Sequence, residues 1–311
     1  MKIMFMGTPD FAVESLNSLH NSGHRISAVI TMPDKPKGRG HKLAHTPVYD
    51  AGVKIDARVY TPENLKKENF EDILLSENPD VIVVVAYGKI LPEYILEYPK
   101  YGCINVHASL LPQYRGAAPI QRSIIDGNKK TGVTTMYMEK GLDTGDMLLK
   151  SEVEITDDDN FATLHDKLAL CGAELIVETL RQLEDGKCVP QKQNDSDSTY
   201  AHMITKETTC IDWNDTAHNI HNLIRGLYPV PKAQSTFNSQ LIKFGSSSVS
   251  AENCDFAPGT VYKVTKDSIL VVCGNSTVLE IFEIQLEGKK MMKVSDFLKG
   301  NSIETNVVLG S

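Results

Sequence analysis

The 311-residue sequence predicts an α/β protein: a Rossmann-like open, mostly parallel sheet over residues 1–190, then a smaller C-terminal OB-like β-barrel over residues 208–311. Three observations predict this. Strand-like and helix-like segments alternate through the first half, the pattern of a parallel sheet built from βαβ units. Between Asp80 and Ala86 runs Val-Ile-Val-Val-Val, an unbroken β-branched stretch that marks a strand covered on both faces. After a polar stretch at residues 191–207, read as a linker, the texture changes to short strands with little helix, the pattern of a small barrel.

In chain order, Lys2 to Met6 is a short apolar strand, and Asp10 to Asn21 is a helix with Phe11, Leu16 and Leu19 on one side. Ile26 to Thr31 is a second strand. Thr46-Pro47 and Thr61-Pro62-Glu63 both read as helix starts, with threonine as cap and proline in the first turn, where a missing N–H costs nothing. Gly102 to His107 and Gly132 to Met138 are further strands, and Phe161 to Leu183 holds a long helical pattern. In the second part Ala217 to Leu227 reads as a helix. Five strands accompany it: Gln234 to Phe237, Gln240 to Phe244, Gly259 to Val264, Ser268 to Cys273 and Val278 to Gln285.

Composition narrows the function classes. Hydrophobic residues make up 41% and charged residues 23%, ordinary for a globular protein. No apolar run approaches the ~20 residues of a membrane span, so no membrane partner is expected. The first six residues read as strand and turn and carry no signal-peptide cleavage site. The six cysteines lie scattered without a CxxC pair, which predicts reduced thiols in a cytoplasmic protein and neither a disulfide frame nor a zinc site. His218 and His221 read as an exposed helix face rather than as metal ligands. A net charge of -8 excludes a general nucleic-acid binder, so any RNA contact has to be local.

The first strand leads into Gly7-Thr8-Pro9-Asp10, with one glycine where a dinucleotide fingerprint has three, and no GxxxxGK[ST] occurs. In open α/β sheets function collects beyond the carboxyl ends of central strands. One such place reads Asn105-Val106-His107-Ala108-Ser109-Leu110-Leu111-Pro112, where strand alternation puts Asn105 and His107 on one side. Another is the turn Gly141-Leu142-Asp143-Thr144-Gly145-Asp146, which offers Asp143 and a competing carboxylate, Asp146. A third segment, residues 35–42, carries the cations Lys35, Lys37, Arg39 and Lys42 and no acid. Alone it reads as a solvated loop, and its glycines and proline exclude a regular element. A mobile basic loop also suits a phosphate-rich groove.

Asn105-x-His107, with Ser109-Leu110-Leu111-Pro112 behind it and Asp143 in Leu-Asp-Thr-Gly, resembles the signature of the folate-dependent formyltransferases. The resemblance runs from Lys2 to about Leu183 and resumes at Ile211-Asp212-Trp213. It implies an Asn105/His107/Asp143 catalytic site and 10-formyltetrahydrofolate as formyl donor, with no metal. Residues 86–92, Ala-Tyr-Gly-Lys-Ile-Leu-Pro, are similar to the family's pterin pocket, so Lys89 and Leu91 join Ser109, Leu110, Leu111 and Pro112 as implied folate contacts. Residues 5–12, 33–40 and 114–121 are similar to the branch that acts on initiator methionyl-tRNA. That implies a monomer supporting translation initiation, with Lys35, Lys37, Arg39 and Lys42 on the acceptor stem and the C-terminal barrel also binding tRNA. The chain departs from the family at Tyr228-Pro229-Val230-Pro231, where an Asn-Pro-Trp-Pro segment is common.

The implied chemistry gives each residue a task. An amine attacks the formyl carbon, charge builds on the formyl oxygen, and the Asn105 amide donates to it. Histidine, with a reference pKa near ~6.5, holds or releases the proton that attack and departure require. Asp143 orients His107 and favours its charged form. Two other classes compete. A sugar-nucleotide formyltransferase shares the first signature but lacks the basic loop and the Gly-Ala-Ala-Pro-Ile-Gln stretch. A non-catalytic RNA-binding protein has no need of Asn105, His107 and Asp143 together.

Overall fold

The computed structural model describes residues 1–37 and 42–310, in two compact units. Unit 1 comprises Met1–Gly116, Lys130–Glu154 and His165–Ala201; unit 2 comprises Ala117–Lys129, Ile155–Leu164 and His202–Ser311.

Unit 1 begins with strand β1 (Lys2–Gly7), helix α1 (Phe11–Asn21) and strand β2 (Arg25–Ile30). A hairpin of β3 (Lys35–Lys37) and β4 (Lys42–Ala44) follows, pairing Pro36 with Leu43. The basic segment is therefore partly regular, because a two-stranded ribbon has only edges and an edge tolerates proline. Next come α2 (Pro47–Lys54), β5 (Val59–Tyr60), α3 (Lys67–Glu77), β6 (Val81–Val85), α4 (Glu93–Leu96), β7 (Cys103–His107) and β8 (Arg115–Gly116). Thr46 caps α2, its hydroxyl accepting the Tyr49 N–H at 3.1 Å, as Thr-Pro predicts. Thr61-Pro62 starts no helix; α3 begins at Lys67. Lys89 Nζ takes the carbonyls of Pro62 and Glu63, so these groups serve a long-range contact rather than a first helical turn.

Seven strands form one sheet in the order β10-β9-β7-β6-β1-β2-β5, where β9 is Lys130–Tyr137 and β10 is Met147–Glu154. Only β9 runs against the others, pairing antiparallel with both β7 and β10. All five residues of β6 are buried, as a central strand requires. The long helix α6 (Phe161–Glu184) buries Leu168, Ala173, Ile176 and Leu180, and its Gly172 lies against Val106 and Val133 of the sheet. A two-residue strand β11 (Tyr200–Ala201) pairs parallel with β8.

Unit 2 contains α5 (Pro119–Ile125), α7 (Ala217–Leu227) and two antiparallel four-stranded sheets. One sheet is ordered β12 (Gln234–Phe237), β13 (Gln240–Phe244), β18 (Glu283–Leu286) and β19 (Met292–Lys293). The other is ordered β14 (Ser247–Asn253), β17 (Thr277–Ile281), β16 (Ile269–Val272) and β15 (Val261–Val264). The predicted strand from Val278 to Gln285 is two strands in different sheets, divided at Phe282. A core of Trp213, Ile220, Ile224, Phe244, Ile269, Val271, Leu279 and Ile281 fills this unit, and the short helix α8 (Val294–Phe297) adds Phe297. No helix among the described residues is long and apolar enough to cross a membrane.

His221 does not lie on a fully exposed face. Burial first, then the positive charges of Arg225 and His218, lower its pKa to about 4 despite the opposing Asp157 carboxylate. Its ring bonds the Ser247 hydroxyl at 3.0 Å. An imidazole that resists protonation when folded stabilises the protein fully above its unfolded pKa of ~6.5, and that contribution is lost as pH falls toward 4. His221→Gln should therefore flatten the decline in unfolding free energy between pH 6.5 and 4, measured by urea titration; an unchanged slope would show another group responsible.

Candidate active site

Asn105 and His107 occupy alternate positions of β7 and so share one face of the sheet. Asn105 pairs with Val84 on one side and Met136 on the other, which fixes its backbone between two strands. Its side chain is half-buried and has no partner among the described residues. His107 is 6% exposed. Its Nε2 lies 2.9 Å from the Tyr114 carbonyl oxygen. A carbonyl only accepts, so Nε2 carries a proton and Nδ1 is the nitrogen left to gain or lose one. Nδ1 faces Asp143 Oδ2 at 3.8 Å, too long for a hydrogen bond but within ion-pair distance.

Asp143 belongs to a turn that the sequence builds with care. Met138 N–H bonds the Cys103 carbonyl as the chain leaves β9, and Tyr137 N–H bonds the Asp146 carbonyl as it returns, both within 2.9 Å. Asp143 itself has φ 53°, a left-handed conformation that aspartate tolerates better than most residues. At Gly145 a Cβ would stand 2.0 Å from the Tyr137 carbonyl oxygen, so no other residue fits. The Gly116 N–H donates to Asp143 Oδ2 at 2.8 Å. One carboxylate oxygen thus takes an amide and faces the histidine. Asp146 contributes its backbone to the turn.

Two residues absent from the sequence expectation complete the arrangement. Gln193, within the stretch read as linker, is 6% exposed, and its amide Nε2 donates to the carbonyls of Asp143 and Gly145, each at 2.8 Å. Arg115 is 2% exposed, and its Nε donates to Gln193 Oε1 at 3.0 Å. Arg115 falls in the 114–121 stretch that resembles the family but carries no implied role there, and Gln193 does not stand out in its polar run.

The loop after β7 is rigidly held. The Ser109 hydroxyl donates to the Gln113 carbonyl at 2.6 Å, so it serves the loop itself. The buried Thr134 hydroxyl donates to the Ser109 carbonyl at 2.7 Å and accepts the Leu111 N–H at 3.1 Å. Lys150 Nζ bonds the Leu111 carbonyl, and burial pushes its pKa down. Leu111 is buried, whereas Leu110 and Pro112 are half-buried. Beyond β6, Leu91 is buried, Lys89 is tied to residues 62 and 63, and Ile90 is 89% exposed. Lys35, Lys37 and Lys42 lie in the β3–β4 ribbon, and Arg39 lies outside the described residues.

A family model described as formyl transferase matches residues 1–180, and a second, described as formyl transferase C-terminal domain, matches residues 203–302. The chain belongs to the formyl transferase family. A methionyl-tRNA formyltransferase of Caldanaerobacter subterraneus is 50% identical over 99% of this chain and all of its own. Another, from Alkaliphilus metalliredigens, is 50% identical over 100% of this chain and 98% of its own. In fold, this formyl transferase resembles the N-formyltransferase of Helicobacter canadensis, solved with folinic acid and dTDP-3-aminofucose. The two share a TM-score of 0.64 at 18% identity, covering 90% of this chain and 98% of that one.

For a formyl transferase the arrangement supplies a half-exposed amide donor, an imidazole with one free nitrogen, and a carboxylate held beside that nitrogen. Its weak point is the Asp143 turn. Gly145→Ala should push the turn off Tyr137 and cost about 10²-fold in formyl transfer, since a shift near 1 Å is worth that much in a preorganised site. Wild-type turnover in Gly145→Ala would show that the placement of Asp143 is not limiting.

Proposed function

We propose that this formyl transferase moves the formyl group of 10-formyltetrahydrofolate to the α-amino group of methionine on initiator methionyl-tRNA, and so supports translation initiation. The observation that carries the reading is identity near 50% along the full chain to curated relatives named methionyl-tRNA formyltransferase. A folate-derived donor agrees with the family and with the folinic acid bound in the fold's Helicobacter relative. The residues beside the site suit such a donor. Ala86, Gly88 and Ile90 are exposed, with backbone groups suited to a flat heterocycle, and half-buried Leu110 offers apolar surface.

In this reading the donor supplies a formyl group attached to nitrogen. Asn105 donates its amide to the formyl oxygen as charge gathers there, a role typically worth ~2.7–4 kcal/mol. His107, fixed at Nε2 by Tyr114, accepts the amine's proton at Nδ1 and returns it to the departing nitrogen. Asp143 lies beside Nδ1 and stabilises the imidazolium. Residues 109–112, with Lys89 and Leu91, frame the folate.

The acceptor contacts belong to the same proposal. Lys35, Lys37, Arg39 and Lys42 grip the acceptor stem, and the C-terminal part, residues 208–311, acts as an OB-like tRNA-binding domain of a cytoplasmic monomer. Its two antiparallel sheets are compatible with that architecture. Val230, at the site of the family's common tryptophan, is 68% exposed and offers a smaller surface. Lys263 is paired with Glu252 at 2.8 Å, which leaves it less suited to phosphate.

The test is to supply purified protein and 10-formyltetrahydrofolate with either charged initiator tRNA or dTDP-amino sugars, across a salt series. Formylation of the tRNA alone is expected. Arg39→Ala should lower kcat/KM for the tRNA without changing the KM for folate, and should reduce the salt slope by about one unit if the contact is to phosphate. If Arg39 reads a base, the slope stays and discrimination against elongator tRNA falls. Formylation of amino sugars instead would overturn the proposal.

A further inference from the structure

We infer that Gln193 is a positioning residue that holds Asp143 in its working conformation, with Arg115 fixing Gln193 in turn; the inference rests on the role proposed for Asp143. The amide of Gln193 has two N–H groups and one oxygen, and all three are committed. The two N–H groups meet the Asp143 and Gly145 carbonyls at 2.8 Å each, and the oxygen meets Arg115 Nε at 3.0 Å. This pattern admits one orientation. A flipped amide would set its oxygen against two carbonyls and its N–H groups against a guanidinium. Arg115 Nη2 anchors the far end on exposed Asp195 at 2.8 Å.

One of the carbonyls that Gln193 satisfies is Asp143's own, and the other is that of Gly145, two residues on in the same turn. Asp143 has φ 53°, a conformation that costs free energy unless its surroundings impose it. Without Gln193, two carbonyls at the turn lose their donors, a penalty wherever the group stays dry. The turn then gains by relaxing toward ordinary φ, and that rotation carries the carboxylate away from the Gly116 N–H and from His107 Nδ1. Gln193 is hydrogen-bonded to neither His107 nor Asn105, so it acts through Asp143. The segment that carries it also braces His107's partner. Thr199 accepts the Tyr114 N–H on its hydroxyl at 2.8 Å and the Arg115 N–H on its carbonyl at 2.9 Å. Residues 193–201 therefore support both halves of the His107–Asp143 pair.

The experiment is a double-mutant cycle in the full chain. Gln193→Leu removes the clamp; Gln193→Glu keeps its shape and its Arg115 partner but loses both donors, and serves if the leucine variant folds poorly. Each should lower kcat for methionyl-tRNA formylation about 10²-fold, with the KM for 10-formyltetrahydrofolate within about twofold of wild type. Placed in an Asp143→Asn background, the same changes should cost less than about threefold, because the residue they position is already disabled. Equal losses in both backgrounds, or no loss in either, would overturn the inference. The Gly116 amide proton supplies a readout independent of turnover. Its NMR shift should move in Gln193→Leu toward its value in Asp143→Asn, and an unmoved shift also overturns the inference. If Asp143→Asn alone turns over normally, the catalytic role of Asp143 fails, and the Gly116 shift still decides whether Gln193 holds the turn.

Discussion

Everything at the site depends on three residues of backbone. Between Tyr114 and Gly116 the chain turns one carbonyl onto His107 Nε2 and one N–H onto Asp143 Oδ2. These two hydrogen bonds set which imidazole nitrogen is free, and they hold a carboxylate beside it. Neither bond uses a side chain of the segment, so the constraint lies in backbone direction. Tyr114 has φ 61° and Gly116 φ 121°, both in the left-handed half of the map. At Gly116 a Cβ would stand 2.9 Å from the Ala201 carbonyl oxygen. The two-residue pairing of β8 with β11 is what keeps so irregular a segment in place.

The large sheet supplies the other half of the geometry. Strand β7 is flanked by β6 in parallel and β9 in antiparallel register, so Asn105 and His107 stand on a surface that cannot tilt. The reversal of β9 matters. It brings Thr134 beside His107, where its hydroxyl ties the 109–112 loop, and it starts the Asp143 turn beside Cys103. The antiparallel pairing of β9 with β10 lets the short connection at residues 138–146, which carries Asp143, join them, where a parallel pair would have needed a longer crossover.

Much of this was legible because the signals were local. Alternation alone placed Asn105 and His107 on one face, and the Thr46-Pro47 cap chemistry placed the start of α2. The bounds of α7 follow from its apolar spacing. Where the sequence misled, long-range contacts had taken over. Thr61-Pro62 looks like a cap, but Lys89 claims the carbonyls that follow. The β14 strand, Ser-Ser-Val-Ser-Ala-Glu-Asn, lies at a sheet edge and is largely exposed, so it shows no apolar alternation. Gln193 is the instructive case. A polar residue saturated by buried carbonyls has the same letter as one dissolved in water, and the neighbouring Asn-Asp-Ser-Asp-Ser makes the second reading natural.

The central claim is that the Tyr114 carbonyl fixes the tautomer of His107 and leaves Nδ1 to carry the transferred proton. Long-range proton–nitrogen NMR of histidine-labelled protein tests it most directly, at a pH where the His107 ring is neutral. The account predicts a protonated Nε2 and a bare Nδ1 for His107. A ring protonated at Nδ1 instead would contradict it, because the nitrogen beside Asp143 could not then accept a proton from the amine.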